Sequence, residues 1–349
     1  MGSPRVSVVL PVYNGEKHLA EAVESILSQT FRDFEFIIID DGSTDGASDI
    51  LRRYQQEDDR IRVYPQENRG AVAASNRGCQ LAQGEYVARM DHDDVSLPER
   101  LARQVAYLEA HPEIGVLGTW IQEIDSRGLK REIRRKLTMP RVIAWGLCFE
   151  SCLPNPTVMM RRAVIERIGF YGTEALHADD YDLWVRALSV TQLANIPEVL
   201  LRYRVWPGSL TYLYPETVQR SAAKVAHSRI ASFLGSEVPM EAVLGLRKAV
   251  TAQPLSSLQE VEDVGSLIHR LCRAFMATGR PNPEEAREYA RFAGTKLFYL
   301  ANAASRFSLR RGLSIYIEAA RLNPGLLSPM VVARGLTVVA RRRLKRPSP

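Results

Sequence analysis

Short apolar runs alternate with helically spaced apolar positions through the first 120 residues of the chain. Residues 34–40 form a continuously apolar run that ends in acid, a pattern typical of a strand buried in a parallel sheet. Between this run and the one at residues 5–11, Leu19, Val23 and Ile26 repeat with helical spacing. Further strands are predicted at residues 60–64, 85–90 and 114–119, and further helices at 70–82 and 97–108.

The alternation predicts an α/β fold, with a Rossmann-like, mostly parallel sheet flanked by helices. After residue 120 the pattern is mixed: residues 120–136 predict a basic hairpin, and residues 194–204 predict one or two short strands. From about residue 215 the chain is mainly helical. We therefore expect a domain at residues 1–215 and a C-terminal helical extension at residues 216–349.

The composition excludes several classes of protein. The 349 residues are 46% hydrophobic and 25% charged, which is typical of globular chains and not of disordered or collagenous ones. The four cysteines include no CxxC pair, which favours a reduced, cytoplasmic protein. No apolar run reaches the roughly 18 residues that span a bilayer, so we expect no transmembrane helix.

Acidic residues follow two of the predicted strands. Asp40 and Asp41 end the second strand, and Asp91, Asp93 and Asp94 follow the fourth. Ligands of open parallel sheets bind at the carboxyl ends of the strands, where these groups would meet. Carboxylates one residue apart can hold Mg²⁺ or Mn²⁺ when phosphate oxygens complete the coordination shell of the metal. The alternative interpretation of residues 91–94 is a solvated acidic turn. Because there is no Walker A or GxGxxG pattern, a metal bridge to a diphosphate is favoured.

A third acidic group, Asp179, Asp180 and Asp182, stands at the start of a predicted helix before Trp184. Acids at this position complement the helix dipole, which is one explanation for them. The other is general-base catalysis, in which a carboxylate takes the proton of a hydroxyl that attacks an anomeric carbon. One base and one metal-stabilised leaving group would give a single displacement with inversion.

Five motifs follow one another in order across residues 4–212. The first two are VSVVLPVYNGEKHLAEAVESILSQTFRDFEFIIIDDGSTD and NRGAVAASNRGCQLAQGEYVARMDHDDVSLPERLARQVAYLEAHPEIGVLG. The other three are NPTVMMRRAVIERIGFYG, HADDYDLWVRAL and PEVLLRYRVWPGSLT. This ordered set strongly resembles the family 2 glycosyltransferases of the GT-A fold, of the kind that act in bacterial surface-polysaccharide assembly.

The resemblance implies a nucleotide-sugar pocket near the N-terminus. Pro11, Tyr13 and Glu16 match the segment that lines this pocket in the family. Asp41 matches the aspartate that reads the base, usually uracil, and Asp40 stands beside it. The chemistry agrees, because a carboxylate accepts the imide N–H of uracil and a tyrosine ring stacks on the base.

The resemblance also implies roles for the other acids. Asp91 and Asp93 match the DxD motif, which holds Mg²⁺ or Mn²⁺ and contacts the donor, with Asp93 as the direct ligand. Asp180 matches the second acid of the family's Glu-Asp pair and is the expected base. Asp179 replaces the usual Glu and is the alternative base.

Arg204 and Ser209 match a late loop that lies near the diphosphate in the family. Trp206 stands where many relatives have His. Since indole is not a metal ligand, we expect Trp206 to shield the site or to stack on a sugar. Asn155 also stands where relatives often have His, which leaves the acceptor contacts open.

Together these features predict an inverting, metal-dependent transfer of sugar from a nucleotide-diphosphate sugar, with UDP as the expected nucleotide. The expected acceptor is a hydroxyl of a saccharide or a lipid-linked saccharide. One alternative is a catalytically silent relative that serves as a scaffold in an assembly complex. The other is a nucleotidyltransferase, which would release pyrophosphate instead of a nucleoside diphosphate.

The net charge of +6 is concentrated in two basic segments. Residues 334–349 contain six basic residues and no acid, and they overlap an apolar stripe that includes Val332 and Leu336. This predicts peripheral docking on an anionic membrane, expected at the inner face of the plasma membrane, with a solvated tail as the alternative. Residues 127–141 form either a solvated hairpin or a surface that approaches acceptor diphosphate or lipid headgroups. No nucleic-acid-binding motif is present, so we expect no such partner.

Overall fold

The computed structural model describes residues 3–327, with only the backbone at 210–211. The described chain forms two compact units, one of residues 3–147 and 151–225 and one of residues 148–150 and 226–327. The basic C-terminal segment predicted to dock on a membrane lies outside the described residues. The predicted division into a catalytic domain and an extension at residue 215 stays a prediction.

The first unit contains one sheet. Its strands are β1 (Val6–Val12), β2 (Phe34–Asp40), β3 (Ile61–Pro65), β4 (Tyr86–Arg89), β5 (Val95–Ser96), β6 (Ile114–Ile124), β7 (Lys130–Arg134), β8 (Met159–Arg161) and β9 (Gln192–Arg204). They lie in the order β3-β2-β1-β4-β8-β6-β9-β5, and β7 pairs with β6. The first four of these strands are parallel, and β6 is parallel to β9, whereas the pairs of β8, β5 and β7 are antiparallel.

Helices flank this sheet, as the alternating pattern predicts. Leu19, Val23 and Ile26 are fully buried in the hydrophobic core, together with the alternating apolar residues of β1. Every residue of β2 is buried, as expected of a central parallel strand. The helices are α1 (Glu16–Leu27), α2 (Ala47–Glu57), α3 (Ala71–Leu81), α4 (Arg100–Ala110), α5 (Pro140–Gly146), α6 (Arg162–Ile168), α7 (Asp179–Ala187), α8 (Leu210–Leu213) and α9 (Pro215–Leu234).

Two local predictions differ from the structure. The turn at residues 41–45 predicts a helix with Ser43 or Thr44 as its N-cap, but α2 begins later, at Ala47, and its N-cap Gly46 makes no side-chain hydrogen bond. The region of β9 is one continuous strand, although it contains Pro197. The register against β6 shifts between Ile196 and Val199, the interval that contains this proline, so the missing N–H is accommodated by irregular pairing.

The second unit is helical, as predicted. Its longest helix starts at a capping box, in which Asn282 and Glu285 satisfy each other's backbone N–H groups. The spacing of Leu297, Leu300 and Phe307 predicts one face of an amphipathic helix. Leu297 and Leu300 are buried within this longest helix, whereas Phe307 lies after its end and is 42% exposed. The helices are α10 (Met240–Val250), α11 (Leu258–Ala277), α12 (Pro283–Ala304) and α13 (Leu309–Leu322). Within residues 3–327, no helix is both long and apolar enough to cross a membrane.

Candidate active site

Hydrogen bonds join the loops at the carboxyl ends of the neighbouring strands β1 and β2. The amide of Asn14 donates to the hydroxyl of Ser43 at 3.1 Å, and the Asn14 side chain accepts from the amide of Thr44 at 2.8 Å. Oε2 of Glu16 accepts from the amide of Gly46 at 3.1 Å. Glu16, predicted to line a nucleotide pocket, therefore also holds the start of α2.

Both aspartates at the end of β2 are buried and bonded. Oδ2 of Asp40 accepts from the hydroxyl of Ser48 at 2.6 Å. The Asp41 carboxylate accepts from the amides of Arg69 and Gly70, each at 2.9 Å. Asp41 thus fixes the loop between β3 and α3, and its predicted reading of a base stays a prediction.

Two further residues predicted to line the pocket lie at the end of β1. Pro11 is paired with Ile39 inside the sheet. Tyr13 follows the strand and is 47% exposed, which leaves its ring accessible for stacking.

The acidic turn, residues 91–94, follows β4 and is held by a buried arginine. Nη2 of Arg89 lies 3.0 Å from Oδ1 of Asp91, and Nη1 donates to the carbonyl of Val9 at 3.0 Å. The guanidinium is only 2% exposed, so it ties the turn to the neighbouring strand β1 inside the protein. Burial raises the pKa of Asp91, and the positive charge of Arg89 opposes this effect.

Arg204 lies behind the acidic turn, and its predicted place near a diphosphate stays a prediction. Its guanidinium is 2% exposed and donates to the carbonyls of Asp93 and Asp125, at 2.7 and 3.2 Å, and to Glu21 at 2.6 Å. Its amide donates to Oδ1 of Asp94 at 2.8 Å. These bonds show that Arg204 supports the acidic turn.

Trp206 contacts the acidic turn directly. Its indole N–H donates to Oδ2 of Asp93 at 2.7 Å. The ring meets the edge of His18 at a centroid distance of 5.8 Å, and Nζ of Lys17 lies 5.9 Å from it. The predicted late-loop residue Ser209 is in the same turn, where its amide donates to the carbonyl of Trp206 at 3.1 Å. The structure thus gives Trp206 a partner that the sequence did not suggest, the proposed metal ligand.

The candidate bases stand at the first turn of α7. Burial raises the pKa of Asp179 to about 6. Burial also raises the pKa of Asp180 to about 7, and the charge of Asp179 adds to this rise. Oδ2 of Asp180 accepts from the hydroxyl of Ser151 at 3.4 Å, and Oδ1 accepts from the amide of Tyr181 at 2.7 Å. Carboxyls that titrate near neutral pH suit proton transfer.

The carboxylates of the acidic turn and of the start of α7 influence the pKa of the same side chain. Burial raises the pKa of the Tyr203 hydroxyl, and the charges of the carboxylates of residues 91–94 and of Asp180 raise it further. The charge of Asp91 likewise contributes to the raised pKa of Asp179. These mutual effects require the two acidic groups to be close, although almost 90 residues separate them in sequence.

Two residues related to both acidic groups were not predicted from the sequence. One is Arg89, which lies 5.8 Å from the ring of Tyr171, whose hydroxyl donates to Oδ1 of Asn155 at 2.9 Å. The other is Tyr203, because the charges of carboxylates in both groups raise the pKa of its hydroxyl. An arginine at the end of an apolar strand, just before the acidic turn, was a usable signal for Arg89, because a buried cation needs an anionic partner.

Comparison with known sequences identifies relatives of the first unit. A family model described as Glycosyl transferase family 2 matches residues 7–169. An uncharacterized glycosyltransferase of Methanocaldococcus jannaschii is 35% identical over 218 residues, which are 61% of this chain and 74% of the relative. The O-antigen biosynthesis glycosyltransferase WbnJ of Escherichia coli is 34% identical over 207 residues, which are 57% of this chain and 79% of WbnJ.

Comparison with solved structures confirms the α/β fold with C-terminal helices. TarS of S. aureus, in complex with UDP-GlcNAc, has a TM-score of 0.55 at 18% identity, covering 91% of this chain and 90% of that chain. The mannosyltransferase PcManGT of Pyrobaculum calidifontis, in complex with GDP-Man and Mn²⁺, has a TM-score of 0.52 at 20% identity, covering 93% and 88%. At these identities the likeness concerns the GT-A-type fold alone.

Proposed function

This chain belongs to glycosyltransferase family 2, and from that membership we propose that it transfers a sugar, with inversion, from a nucleotide-diphosphate sugar to an acceptor hydroxyl. The observation that carries the proposal is that carboxylates of two acidic groups, the turn at residues 91–94 and the start of α7, both raise the pKa of the Tyr203 hydroxyl. The carboxylates of the turn suit a metal that binds the departing diphosphate. A carboxylate of α7 suits removal of the proton from the attacking hydroxyl.

The acidic turn fits a divalent metal whose remaining ligands come from the substrate. Within residues 3–327, no group of three His, Cys, Asp or Glu side chains is placed to hold a metal ion. Asp91 and Asp93 would hold Mg²⁺ or Mn²⁺ together with phosphate oxygens. When bound, such a cation supplies charge neutralisation for the leaving nucleoside diphosphate. PcManGT, which was solved with Mn²⁺, supports a metal of this kind.

Asp180 is the proposed base, and Asp179 is the alternative. With a pKa of about 7, the Asp180 carboxyl is substantially ionised at neutral pH and can accept the proton of the acceptor hydroxyl. A single displacement at the anomeric carbon inverts its configuration. The two acidic groups therefore have different tasks, in contrast to glycosidases, where both carboxyls act at the glycosidic bond.

The donor and the acceptor are proposed by class. We favour a UDP-sugar, with Tyr13 stacking on the base beside Asp41, and the UDP-GlcNAc complex of TarS supports this choice. PcManGT was solved with GDP-Man, so GDP-sugars belong in the test. The O-antigen role of WbnJ supports a part in cell-surface polysaccharide biosynthesis. The proposed acceptor is a saccharide or a lipid-linked saccharide, and the proposed place of the reaction is the inner face of the plasma membrane.

A panel of UDP- and GDP-sugars, assayed with Mg²⁺, Mn²⁺ or EDTA, tests the proposal. We expect metal-dependent release of a nucleoside diphosphate, which Asp93→Asn abolishes, and an inverted anomeric centre in the product. Release of pyrophosphate would instead identify a nucleotidyltransferase. If neither UDP nor GDP binds more tightly with Mn²⁺ in calorimetry, the enzyme proposal fails and the scaffold alternative gains support.

A further inference from the structure

Two buried cations of the helical second unit bind the same short segment of chain, residues 148–150. Nζ of Lys296, on α12, lies 2.6 Å from Oε2 of Glu150. Nη1 of Arg247, on α10, donates to the carbonyl of Phe149 at 2.7 Å. Among the described basic residues of this unit, only these two are buried. Because a buried charge is costly without a partner, bonds from both of them to three consecutive residues indicate that this segment is firmly held.

Aromatic packing adds to the hold on this segment. Phe149 is fully buried, and its ring meets that of Phe292 edge-on at a centroid distance of 5.6 Å. Nζ of Lys296 lies 4.3 Å from the centroid of the Phe292 ring, and its side chain is 5% exposed. By contrast, Lys248 of the same unit, which pairs with Glu260 at 2.9 Å, is 37% exposed, as is usual for a surface ion pair.

The residues on either side of this segment bond the first turn of α7. The Tyr181 hydroxyl donates to the carbonyl of Leu147, and the Ser151 hydroxyl donates to Oδ2 of Asp180 at 3.4 Å. Leu147 and Ser151 belong to the first unit, and one peptide bond joins each of them to residues 148–150. A displacement of the segment would therefore also move the two groups that bond the candidate base and its neighbour.

We propose that Lys296 is a positioning residue for the candidate base Asp180. It acts through residues 148–150: the ion pair holds the segment, and the segment keeps the Ser151 hydroxyl within bonding distance of the carboxyl. The inference rests on the role proposed above for Asp180. It extends that role to a part of the chain outside residues 7–169, which are the residues that the family model matches.

Other groups also act on the Asp180 carboxyl, and they are unchanged in the variants proposed here. The charge of Asp179 raises the pKa of Asp180, and the charge of Lys136 lowers it. The charge of Asp180 in turn raises the pKa of the Tyr171 and Tyr203 hydroxyls. A change of pKa in a variant of the segment or of its ion pair can therefore be attributed to that change.

Carbon NMR of the full chain, labelled with ¹³C at the aspartate carboxyls, measures the pKa of Asp180, whose signal is assigned by its absence in Asp180→Asn. The hydrogen bond from Ser151 stabilises the ionised form, so Ser151→Ala should raise this pKa by about 0.4 to 1 pH unit. Lys296→Met should raise it as well, and S151A/K296M should raise it no further, because both changes remove the same bond. Lys248→Met, which breaks the exposed ion pair with Glu260, is the matched control and should leave the pKa unchanged.

A second variant keeps the test independent of the folding of Lys296→Met. E150A/K296M removes both charges of the ion pair, leaves neither of them unpaired, and should raise the pKa of Asp180 by the same amount. An unchanged or lowered pKa in this variant would overturn the proposal, and so would a shift in Lys296→Met that adds fully to that of Ser151→Ala. The kinetics of Asp180→Asn test the base separately, so failure of the coupling and failure of the base assignment are distinguishable.

Hydrogen exchange followed by mass spectrometry measures how far the effect travels along the chain. In Lys296→Met, we expect faster exchange in peptides that cover residues 147–151 and residues 179–182, with no change in the core strand at residues 34–40. Lys248→Met should leave the first two peptides as they are in the wild type. Faster exchange confined to residues 147–151 would mean that the ion pair holds the segment but not the base. Neither measurement contains donor or acceptor, so both results are independent of the transferase proposal.

Discussion

The indole N–H of Trp206 donates a hydrogen bond of 2.7 Å to Oδ2 of Asp93. The contact depends on Gly208, because a Cβ there would lie 2.1 Å from the indole ring. Partners of this kind orient metal-binding carboxylates, and their loss typically costs about 10- to 100-fold in metal affinity. Trp206 does not ligate a metal itself, but it holds the side chain that we propose as the direct ligand.

Replacing Trp206 with Phe tests this coupling, because phenylalanine keeps an aromatic ring and removes the N–H donor. We expect the affinity for Mn²⁺, measured by electron paramagnetic resonance with saturating UDP, to fall by about 10- to 100-fold. Gly208→Ala should have a similar effect by displacing the ring. Trp206→His, which restores a donor, is the matched control and should bind Mn²⁺ better than the Phe variant. Wild-type affinity in Trp206→Phe would show that the hydrogen bond is incidental.

The assignment of the base is tested at the first turn of α7. Asp180→Asn should lower kcat for transfer by about 10²-fold or more, because no carboxylate remains to take the acceptor proton. The Kd for the nucleotide should stay within about twofold of the wild-type value. Asp179→Asn is the comparison, and we expect a smaller loss. A nearly normal Asp180→Asn together with an inactive Asp179→Asn would transfer the role to Asp179.

The same carboxyls predict a pH profile. Since the pKa of Asp180 is about 7 and that of Asp179 about 6, the ionised base is depleted as the pH falls through this range. The logarithm of kcat/KM should therefore decline below about pH 7, with a slope that approaches one. Steady-state kinetics between pH 5 and 9, with constant free metal, would measure the decline. A flat profile down to pH 5 would mean that neither carboxyl acts as the base.

Much of the parallel half of the fold was predictable because its signals are local. The run at residues 34–40 forms β2 with the predicted bounds, and the helical spacing of Leu19, Val23 and Ile26 appears as the buried face of α1. The sheet order and the antiparallel strands of its other half were not predictable, since they depend on pairing between distant segments. The continuity of β9 through Pro197 depends in the same way on its pairing with β6, whose register shifts between Ile196 and Val199.

The acidic residues of the candidate site could be predicted from the sequence, but their hydrogen-bond partners could not. The carboxyl ends of parallel strands indicated where Asp41 and Asp93 would lie. Their partners come from far along the chain: Asp41 binds the amides of Arg69 and Gly70, and Asp93 binds Trp206. No periodicity encodes such contacts. For the same reason, the bonds of Arg204 to Asp93, Asp94 and Glu21 could not be predicted from the sequence.

The buried contacts of Asp41 predict a structural role in addition to any role in reading a base. Asp41→Ala would leave the amides of Arg69 and Gly70 without their acceptor, at about 1–3 kcal/mol for an unsatisfied buried group. We expect a fall in melting temperature of several degrees even without nucleotide, measured by differential scanning fluorimetry. Asp41→Asn keeps one carbonyl acceptor and should fall less. A residue that only reads the base would leave the melting temperature of the nucleotide-free protein unchanged.

The raised pKa of Asp180 implies that the carboxyl proposed as the base lowers the stability of the folded protein at neutral and higher pH. Its pKa is raised by folding, from an unfolded value of about 3.9 to about 7, so the folded protein disfavours the ionised carboxyl. This penalty is absent below about pH 4, grows as the pH rises, and is complete above the folded pKa. Asp180→Asn removes the penalty and should raise the melting temperature at pH 8 by about 2–6 °C, with a smaller gain at pH 5. Ser151→Ala, which alters the neighbourhood but keeps the carboxyl, should show no such gain. Equal melting temperatures for wild type and Asp180→Asn at pH 8 would indicate that the carboxyl is better solvated than its position in the fold implies.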